Sequence, residues 1–406
     1  MSSPSQQAPR RRRLPPTAKP QAPTDTTIHD LGDDLLLAIF LRLPSLPSLV
    51  RAAFACRSFL AAVRSSPAFR RRFRDLHPPP LLGLFFDPCG PYVPSFTPLR
   101  RQSDPDLAAA VRGADFFLTR VPATDDASPG WGVLDCRGGY LFLLNSEDEE
   151  TATYNPVTRV LDLIPLPPDE IMDEVLACHG VHLISSDEAP GSFRVVYVFS
   201  NESRVRATVF SSCTREWRVL PWEEPAPEQQ GWLPQGTQVN GSLYWAHKEQ
   251  AYMMVLDTAT LQFSSIDLPE QMKGQGHLYR VGETKDGKLC IVRVIEFDMF
   301  VWHRGPDADG ADKWKLGKIF RLEEDVLKAT GGSHLEHSVL KVLEIMDGIV
   351  YLFLQTSEDA HLLCWFLTLC LKTGKLDKLF RKQNDSHVHP YIMAWPPSLV
   401  SEIMNP

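Results

Sequence analysis

The sequence predicts an α+β multidomain chain: a small three-helix module followed by an all-β domain built as a six-bladed propeller. Three observations predict it. Residues 27–76 carry apolar residues at helical spacing, cut by strong breakers. From Leu81 onward, short Val, Ile, Leu, Phe, Tyr and Trp runs alternate with Gly, Asn, Asp and Pro turns, which is strand grammar. One turn–strand–strand unit then recurs with a mean period of about 50 residues, the range of propeller blades.

The helical stretch comes first. Asp30 and Asp33 are candidate N-caps, and Leu35, Leu36, Ile39, Phe40 and Leu43 form one apolar face. Pro44 and Pro47 stop that helix, and Ser48 is placed to cap a second carrying Leu49, Val50, Ala53 and Phe54. Ser66-Pro67 starts the last helix, lined by Phe69, Phe73 and Leu76. About 50 residues bury too little surface to be stable alone, yet these helices carry more large apolar residues than they can hide. The surplus face belongs either to a partner or to the rest of the chain.

The order of residues carries a resemblance. Leu31-Gly32-Asp33-Asp34-Leu35, Ile39-Phe40-Leu41-Arg42-Leu43-Pro44 and Cys56-Arg57-Ser58-Phe59 stand where the F-box has Leu-Pro-x-Asp/Glu-Leu, an apolar helix ending in Leu-Pro, and Cys-Arg-x-Trp. Gly32 replaces the usual Pro, and Phe59 keeps an aromatic anchor without the indole N–H. The resemblance implies docking on a Skp-family adaptor through Leu31, Gly32, Leu35, Ile39, Leu43, Leu49, Val50, Cys56 and Phe59.

Around this module the chain divides into a basic, Pro-rich tail at 1–26 expected to be disordered, the helical domain at 27–76, a Pro-rich linker at 77–80 and the β domain at 81–406. The first repeat opens at Arg137-Gly138-Gly139-Tyr140, passes Asn155-Pro156-Val157-Thr158 and ends at Leu166-Pro167. The second opens at Phe193 without a Gly marker. The third runs from Asn240-Gly241 through Asp257-Thr258-Ala259-Thr260 to Leu268-Pro269, and the fourth and fifth open at Asp286-Gly287 and Asp347-Gly348. Leu82–Phe86 and Phe116-Phe117-Leu118 supply a sixth blade, shared with Tyr391–Trp395, so that strands from both ends close the ring. A pair of β-sandwiches is the structural alternative. Residues 130–380 resemble the propeller-like associated domains of plant F-box proteins, related to kelch repeats.

The formal net charge of −8 is uneven, +8 over residues 1–77 and −16 over the remainder. The acidic part argues against a nucleic-acid partner, and the basic module suits an acidic protein partner. The acid excess is expected in loops, where it either keeps a large β protein soluble or steers a basic client. Eight scattered cysteines without a CxxC pair read as free, mostly buried thiols of a reducing compartment. The longest apolar run, Leu362 to Leu371, is half of a bilayer span. A cytoplasmic or nuclear protein without a membrane partner is expected, with Arg10–Arg13 a candidate nuclear address.

No constellation reads as catalytic. The acid runs Glu147–Glu150, Glu223-Glu224 and Glu323–Asp325 sit in polar turns or helix starts rather than across a cleft. His179/His182, His334/His337 and His387/His389 lack companion ligands at metal spacing. Trp217, Trp245, Trp302 and Trp314 recur at similar blade positions, as packing residues do. No cofactor and no metal are expected. The resemblance therefore implies a non-catalytic substrate-receptor subunit of an SCF-type ubiquitin ligase. It would be joined to a cullin through the adaptor and would hold a protein client on the propeller. A non-degradative interaction scaffold is the alternative, and a propeller enzyme a third class.

Overall fold

The recurring Gly markers are turns that demand left-handed backbone. Gly138-Gly139, Asn240-Gly241 and Asp347-Gly348 have positive φ at both residues, the geometry of a tight type I′ hairpin. The Thr-containing turns are also built alike. Asn155 Oδ1 accepts from the amides of Val157 and Thr158 at 3.0 and 3.1 Å, and Asp257 Oδ1 from Ala259 and Thr260 at 2.9 and 2.7 Å. Such self-bonding Asx turns reverse the chain without help from elsewhere.

The computed structural model describes residues 31–400, apart from 78, 89–93, 100–103, 123–129, 146, 169–176, 186–191, 202–203, 224–235, 248, 308, 332–334, 357–362 and 384–385. The tail with Arg10–Arg13, Asp30, Pro78, Cys89, Glu224 and His334 lie outside these residues.

Four helices, not three, open the described chain: α1 (Asp33–Phe40), α2 (Leu46–Ala53), α3 (Arg57–Ser65) and α4 (Pro67–Leu76). Gly32, not an aspartate, is the N-cap of α1, with Asp33 and Asp34 in its first turn, where acids suit the helix dipole. Ser45 rather than Ser48 caps α2, accepting from the Ser48 amide, and Pro47 lies in the first turn, where it opens the helix instead of ending the previous one. Ser66 caps α4 as expected. Cys56 starts α3, which splits the middle of the stretch into two helices.

The sheet domain follows as β1 (Leu81–Pro88), β2 (Ser95–Pro98), helix α5 (Pro105–Gly113), then five sheets of four antiparallel strands each. Blade I is β3 (Trp131–Arg137), β4 (Tyr140–Asn145), β5 (Glu150–Asn155) and β6 (Val160–Ile164). Blade II is β7 (Ala177–Ser185), β8 (Phe193–Ser200), β9 (Val205–Ser211) and β10 (Glu216–Val219). Blade III is β11 (Thr237–Val239), β12 (Ser242–Ala246), β13 (Tyr252–Asp257) and β14 (Phe263–Asp267). Blade IV is β15 (Tyr279–Glu283), β16 (Leu289–Ile295), β17 (Asp298–Pro306) and β18 (Asp312–Arg321). Helix α6 (Glu323–Thr330) precedes blade V, which is β19 (Val339–Met346), β20 (Ile349–Gln355), β21 (Leu363–Cys370) and β22 (Leu376–Gln383). The last strand, β23 (Ser386–Ile392), pairs with β1, Ile392 opposite Leu81 and Ser386 opposite Pro88. With β2 it makes blade VI and closes a six-bladed propeller.

Each repeat read from sequence held three strands; the true blade adds the strand before the Gly marker, at the ring centre. Phe116–Leu118 is not a strand. It is a turn after α5, and Phe116 stacks on Phe96 at 3.8 Å. Gly83 lets β2 approach, since a Cβ there would lie 2.4 Å from the Phe96 ring. Trp217 and Trp314 donate indole N–H bonds of 2.8 and 2.7 Å to the carbonyls of Pro165 and Asp267, each latching an outer strand to the blade before it. That is packing, as their recurrence predicts. Of the described cysteines, all free, three are buried, two half-buried and two exposed, so the thiols are less hidden than expected.

Helices and propeller share one core. Leu36, Phe40, Leu49 and Phe73 lie in the same buried cluster as Leu82, Phe85, Tyr391 and Trp395. Phe73 meets Trp395 edge-on at 6.0 Å, Arg74 lies over the same indole at 5.3 Å, and Arg64 Nε donates to the Ser398 carbonyl at 2.8 Å. Ser48 Oγ donates to Asp106 at 3.1 Å, tying α2 to α5, and Arg51 pairs with the same carboxylate. His77, first residue of the expected linker, donates to the Leu41 carbonyl at 2.9 Å. Trp395→Ala should therefore lower stability by about 3–5 kcal/mol. Helix and sheet signals of the native chain should melt together when followed by far-ultraviolet circular dichroism and tryptophan fluorescence. Helix loss well below the sheet transition would refute the shared core.

Candidate functional site

Two surfaces stand out: the outer face of the helices and the central channel. Burial sorts the nine helical residues. Leu35 and Ile39 lie on α1 at a spacing of i,i+4 and are 61% and 44% exposed, with Leu36 and Phe40 of the same helix buried beneath them. Gly32 is exposed, while Leu31, Leu43, Val50 and Cys56 are half-buried. Leu49 is fully buried, and Phe59 packs edge-on against Phe40 at 5.5 Å. Those two hold the helices together rather than facing outward. Sequence spacing cannot separate the two groups, because either face of a short helix reads as apolar. Leu76, which the pattern assigned to an inner face, and Phe54, counted among the apolar residues of the second helix, are both exposed.

The channel is a cavity of about 1440 Å³ lined by the innermost strand of each blade: Asp135 and Arg137 from β3, His182 from β7, Gln238 from β11, Arg280 from β15, Glu344 from β19 and His389 from β23. These positions are dozens of residues apart in sequence, so no local motif announces them; only His182 and His389 were singled out, as members of histidine pairs. Among the described residues no group of His, Cys, Asp and Glu could hold a metal ion. Arg137 Nη2 pairs with Glu344 Oε1 at 3.3 Å across the ring. Burial pushes the Glu344 carboxyl up to about 7, against the pull of Arg137, although a quarter of its side chain touches the open channel. Asp135 accepts from the amides of Cys136 and Leu183 at 2.7 and 2.8 Å, which joins blade I to blade II.

The histidines are held neutral. Burial depresses His182 to about 4, and its ring bonds the backbone of His179. His389 is likewise depressed to about 4 by burial and bonds the backbone of Val133. In each, Nε2 has no hydrogen-bond partner among the described residues. His179, also depressed by burial to about 4, is bonded to Ser200 Oγ at 2.7 Å and sits behind the wall. His337 and His387 are exposed, and His387 lies on β23 opposite Asp87 and lines the channel with His389. The acid runs Glu147–Glu150 and Glu323–Asp325 are solvated, as their turn and helix-start positions predict.

A histidine at about 4 when folded and near 6.5 when unfolded binds more protons in the unfolded chain between those values. Stability is complete above 6.5 and is lost as pH falls toward 4. The share of His182 is about 1.4 kcal/mol per pH unit. His182→Asn removes that share, so wild-type and variant unfolding free energies should converge by about 2 kcal/mol between pH 6.5 and 5 in urea titrations. Parallel curves would contradict the neutral, buried assignment.

A family model described as "F-box protein AT5G49610-like, beta-propeller" matches residues 132–399. No curated protein matches the sequence. Among solved structures, a nidogen/laminin complex is similar at 11% identity and a TM-score of 0.36, over 76% of this chain and 96% of that one. A quinonprotein alcohol dehydrogenase-like protein from Bacteroides thetaiotaomicron is similar at 10% identity and a TM-score of 0.39, over 76% of this chain and 77% of that one. Both likenesses are too distant to carry an argument about function. No described helix is long and apolar enough to cross a membrane. The family match spans blades I to V and the closing strand of blade VI, with α1 to α5 before it and α6 within it, and the chain belongs to the AT5G49610-like F-box proteins with a β-propeller.

Proposed function

We propose that the chain is the substrate-receptor subunit of an SCF-type ubiquitin ligase. The helices dock on a Skp-family adaptor held by a cullin, and the propeller recruits a protein client. The observation that carries this reading is the outer stripe of α1. Leu35 and Ile39 stay exposed although the rest of the helical core is satisfied by the propeller. A single exposed leucine is ordinary, but two stacked on one helix turn within an F-box pattern suit a partner's apolar groove. No bond is made or broken on this chain. It acts by raising the effective concentration of client lysines beside a charged thioester.

The test separates surface from core. Leu35→Asp with Ile39→Asp leaves the buried cluster untouched, so the melting temperature should stay within a few degrees. Co-purification with the adaptor should fall more than tenfold, because each apolar anchor contributes about 1–3 kcal/mol to such a contact. Leu49→Ala should instead cost about 2–5 kcal/mol of folding stability. Undiminished adaptor capture by the double variant would overturn the reading.

A further inference from the structure

The outermost strand of every blade presents one edge that its own sheet leaves unpaired. β2, β6, β10 and β14 are four or five residues long, too short to hold much of a neighbour. β22 has eight residues, but α6 packs beside it, Val326 lying in the buried cluster on which Leu376 rests. β18 differs from all of these. It runs for ten residues, and all but Trp314 and Phe320 are exposed. No described strand pairs with its outer edge.

The two faces of β18 are sorted by chemistry. Trp314, Leu316 and Ile319 share one. Leu316 and Ile319 stand opposite Trp302 and Phe300 of β17, and these two pack with Trp314 in the cluster shared with blade III. The register shift between Phe300 and Trp302 accounts for the odd spacing from Leu316 to Ile319. Lys313, Lys315 and Lys318 lie on the other face. Lys315 stands opposite His303, in line with the buried Met299 and Val301 that face blade V, and Lys318 lies over the Phe320 ring at 4.5 Å. Lysines guard many natural edges. A guard does not explain Leu316 and Ile319, which stay 50% and 45% exposed in the same strand. An apolar row and a cationic row, alternating along an open edge, match an incoming strand of complementary alternation.

We propose that the outer edge of β18 pairs with an extended segment of a protein partner in which acidic and apolar residues alternate. Main-chain bonds hold the segment, its carboxylates meet the lysine row, and its apolar side chains cover Leu316 and Ile319. Within the strand, Lys313, Lys315, Lys318 and Arg321 face Asp312 as the one acid, although residues 78–406 together carry −16. Asp307 bonds Lys313 and Lys315 at 3.0 and 3.3 Å, but exposed pairs of this kind are weak and exchange for a better partner. The acids of α6 lie beyond the buried Leu322, past the end of the strand. A second copy of β18 fits poorly, because lysines would face lysines, and the tail with Arg10–Arg13 has the same sign. The helices pack on blades VI and I, so this edge is a different surface from the α1 stripe and goes beyond the ligase reading.

Random twelve-residue peptides displayed on phage and selected on the immobilised full chain provide the test. Enriched sequences should alternate Asp or Glu with Leu, Ile, Val or Phe. Synthetic copies should slow amide exchange within residues 312–321, read by mass spectrometry. Methylating every second amide nitrogen of the peptide should weaken binding about tenfold or more in one register and little in the other, since a strand pairs through one edge. Lys315→Glu with Lys318→Glu should weaken it about tenfold at an unchanged melting temperature. No enrichment, enrichment of basic or purely apolar peptides, the same effect from both methylated registers, or protection confined to other strands would overturn the proposal. So would a dimeric chain that becomes monomeric on Leu316→Asp, which assigns the edge to a second copy. The Leu35→Asp, Ile39→Asp chain should bind the peptides unchanged. Failure of adaptor capture therefore overturns the ligase reading alone, and failure of peptide binding overturns this site alone.

Discussion

Pairing between β1 and β23 joins residues some three hundred positions apart, and the rest of the molecule depends on it. Without β23, blade VI is the hairpin of β1 and β2, and a two-stranded hairpin is marginal in water. Blades I and V would then expose their flanks. With the pairing made, Phe86 meets Phe366 of blade V edge-on at 5.1 Å, and Lys382 of that blade donates to Ser95 Oγ at 2.9 Å. On the other side, Tyr391 donates to the Gly139 carbonyl at 2.9 Å, beneath the first hairpin of blade I. Closure of so long a loop is entropically slow, so folding of the ring and docking of the helices, which rest on Trp395 just beyond β23, belong to one late event.

The same pairing fixes orientation. Because β1 begins and β23 ends on one side of the ring, the helices and α5 are confined there. The hydrogen bonds among Ser48, Asp106, Arg64 and Ser398 leave them little freedom to rock. On the proposed reading as a receptor acting by effective concentration, such stiffness matters, since a floppy joint dilutes the position it is meant to hold. The exposed stripe of α1 and the channel are therefore set on separate parts of one body.

How much of this was legible follows from where each signal lives. Hairpin turns are local chemistry, so Gly139, Gly241, Gly287 and Gly348 announced the repeat. The inner strands were missed because β11 is three residues long and because the strand before a Gly marker looks like the tail of the preceding loop. Helix α5 was missed because Pro105–Gly113 has no fully buried residue, and thus no apolar stripe to read. In the helical module, apolar pattern identified the residues but not their side: Leu35 and Leu49 look alike in sequence, and only the fold sends one to solvent and the other to the core. The channel was almost invisible, since Asp135, His182, Gln238, Glu344 and His389 meet only after all six blades have closed.

The polarity of that channel has its own physical reason. Each inner strand is an edge, with one row of N–H and C=O groups facing the axis and no seventh strand to pair them. An axis filled with leucine would leave those groups desolvated and unbonded, at a cost of about 1–3 kcal/mol each. The ring must therefore keep a hole that polar groups occupy, and the side chains lining it follow that rule. Arg137 and Glu344 bridge blades I and V, Asp135 caps two amides between blades I and II, and the two histidines spend one nitrogen on neighbouring carbonyls. What remains unspent is acceptor capacity on Nε2 of both rings and on Gln238. Closing six blades thus obliges the axis to stay polar, and the groups that keep it so also tie neighbouring and opposite blades together.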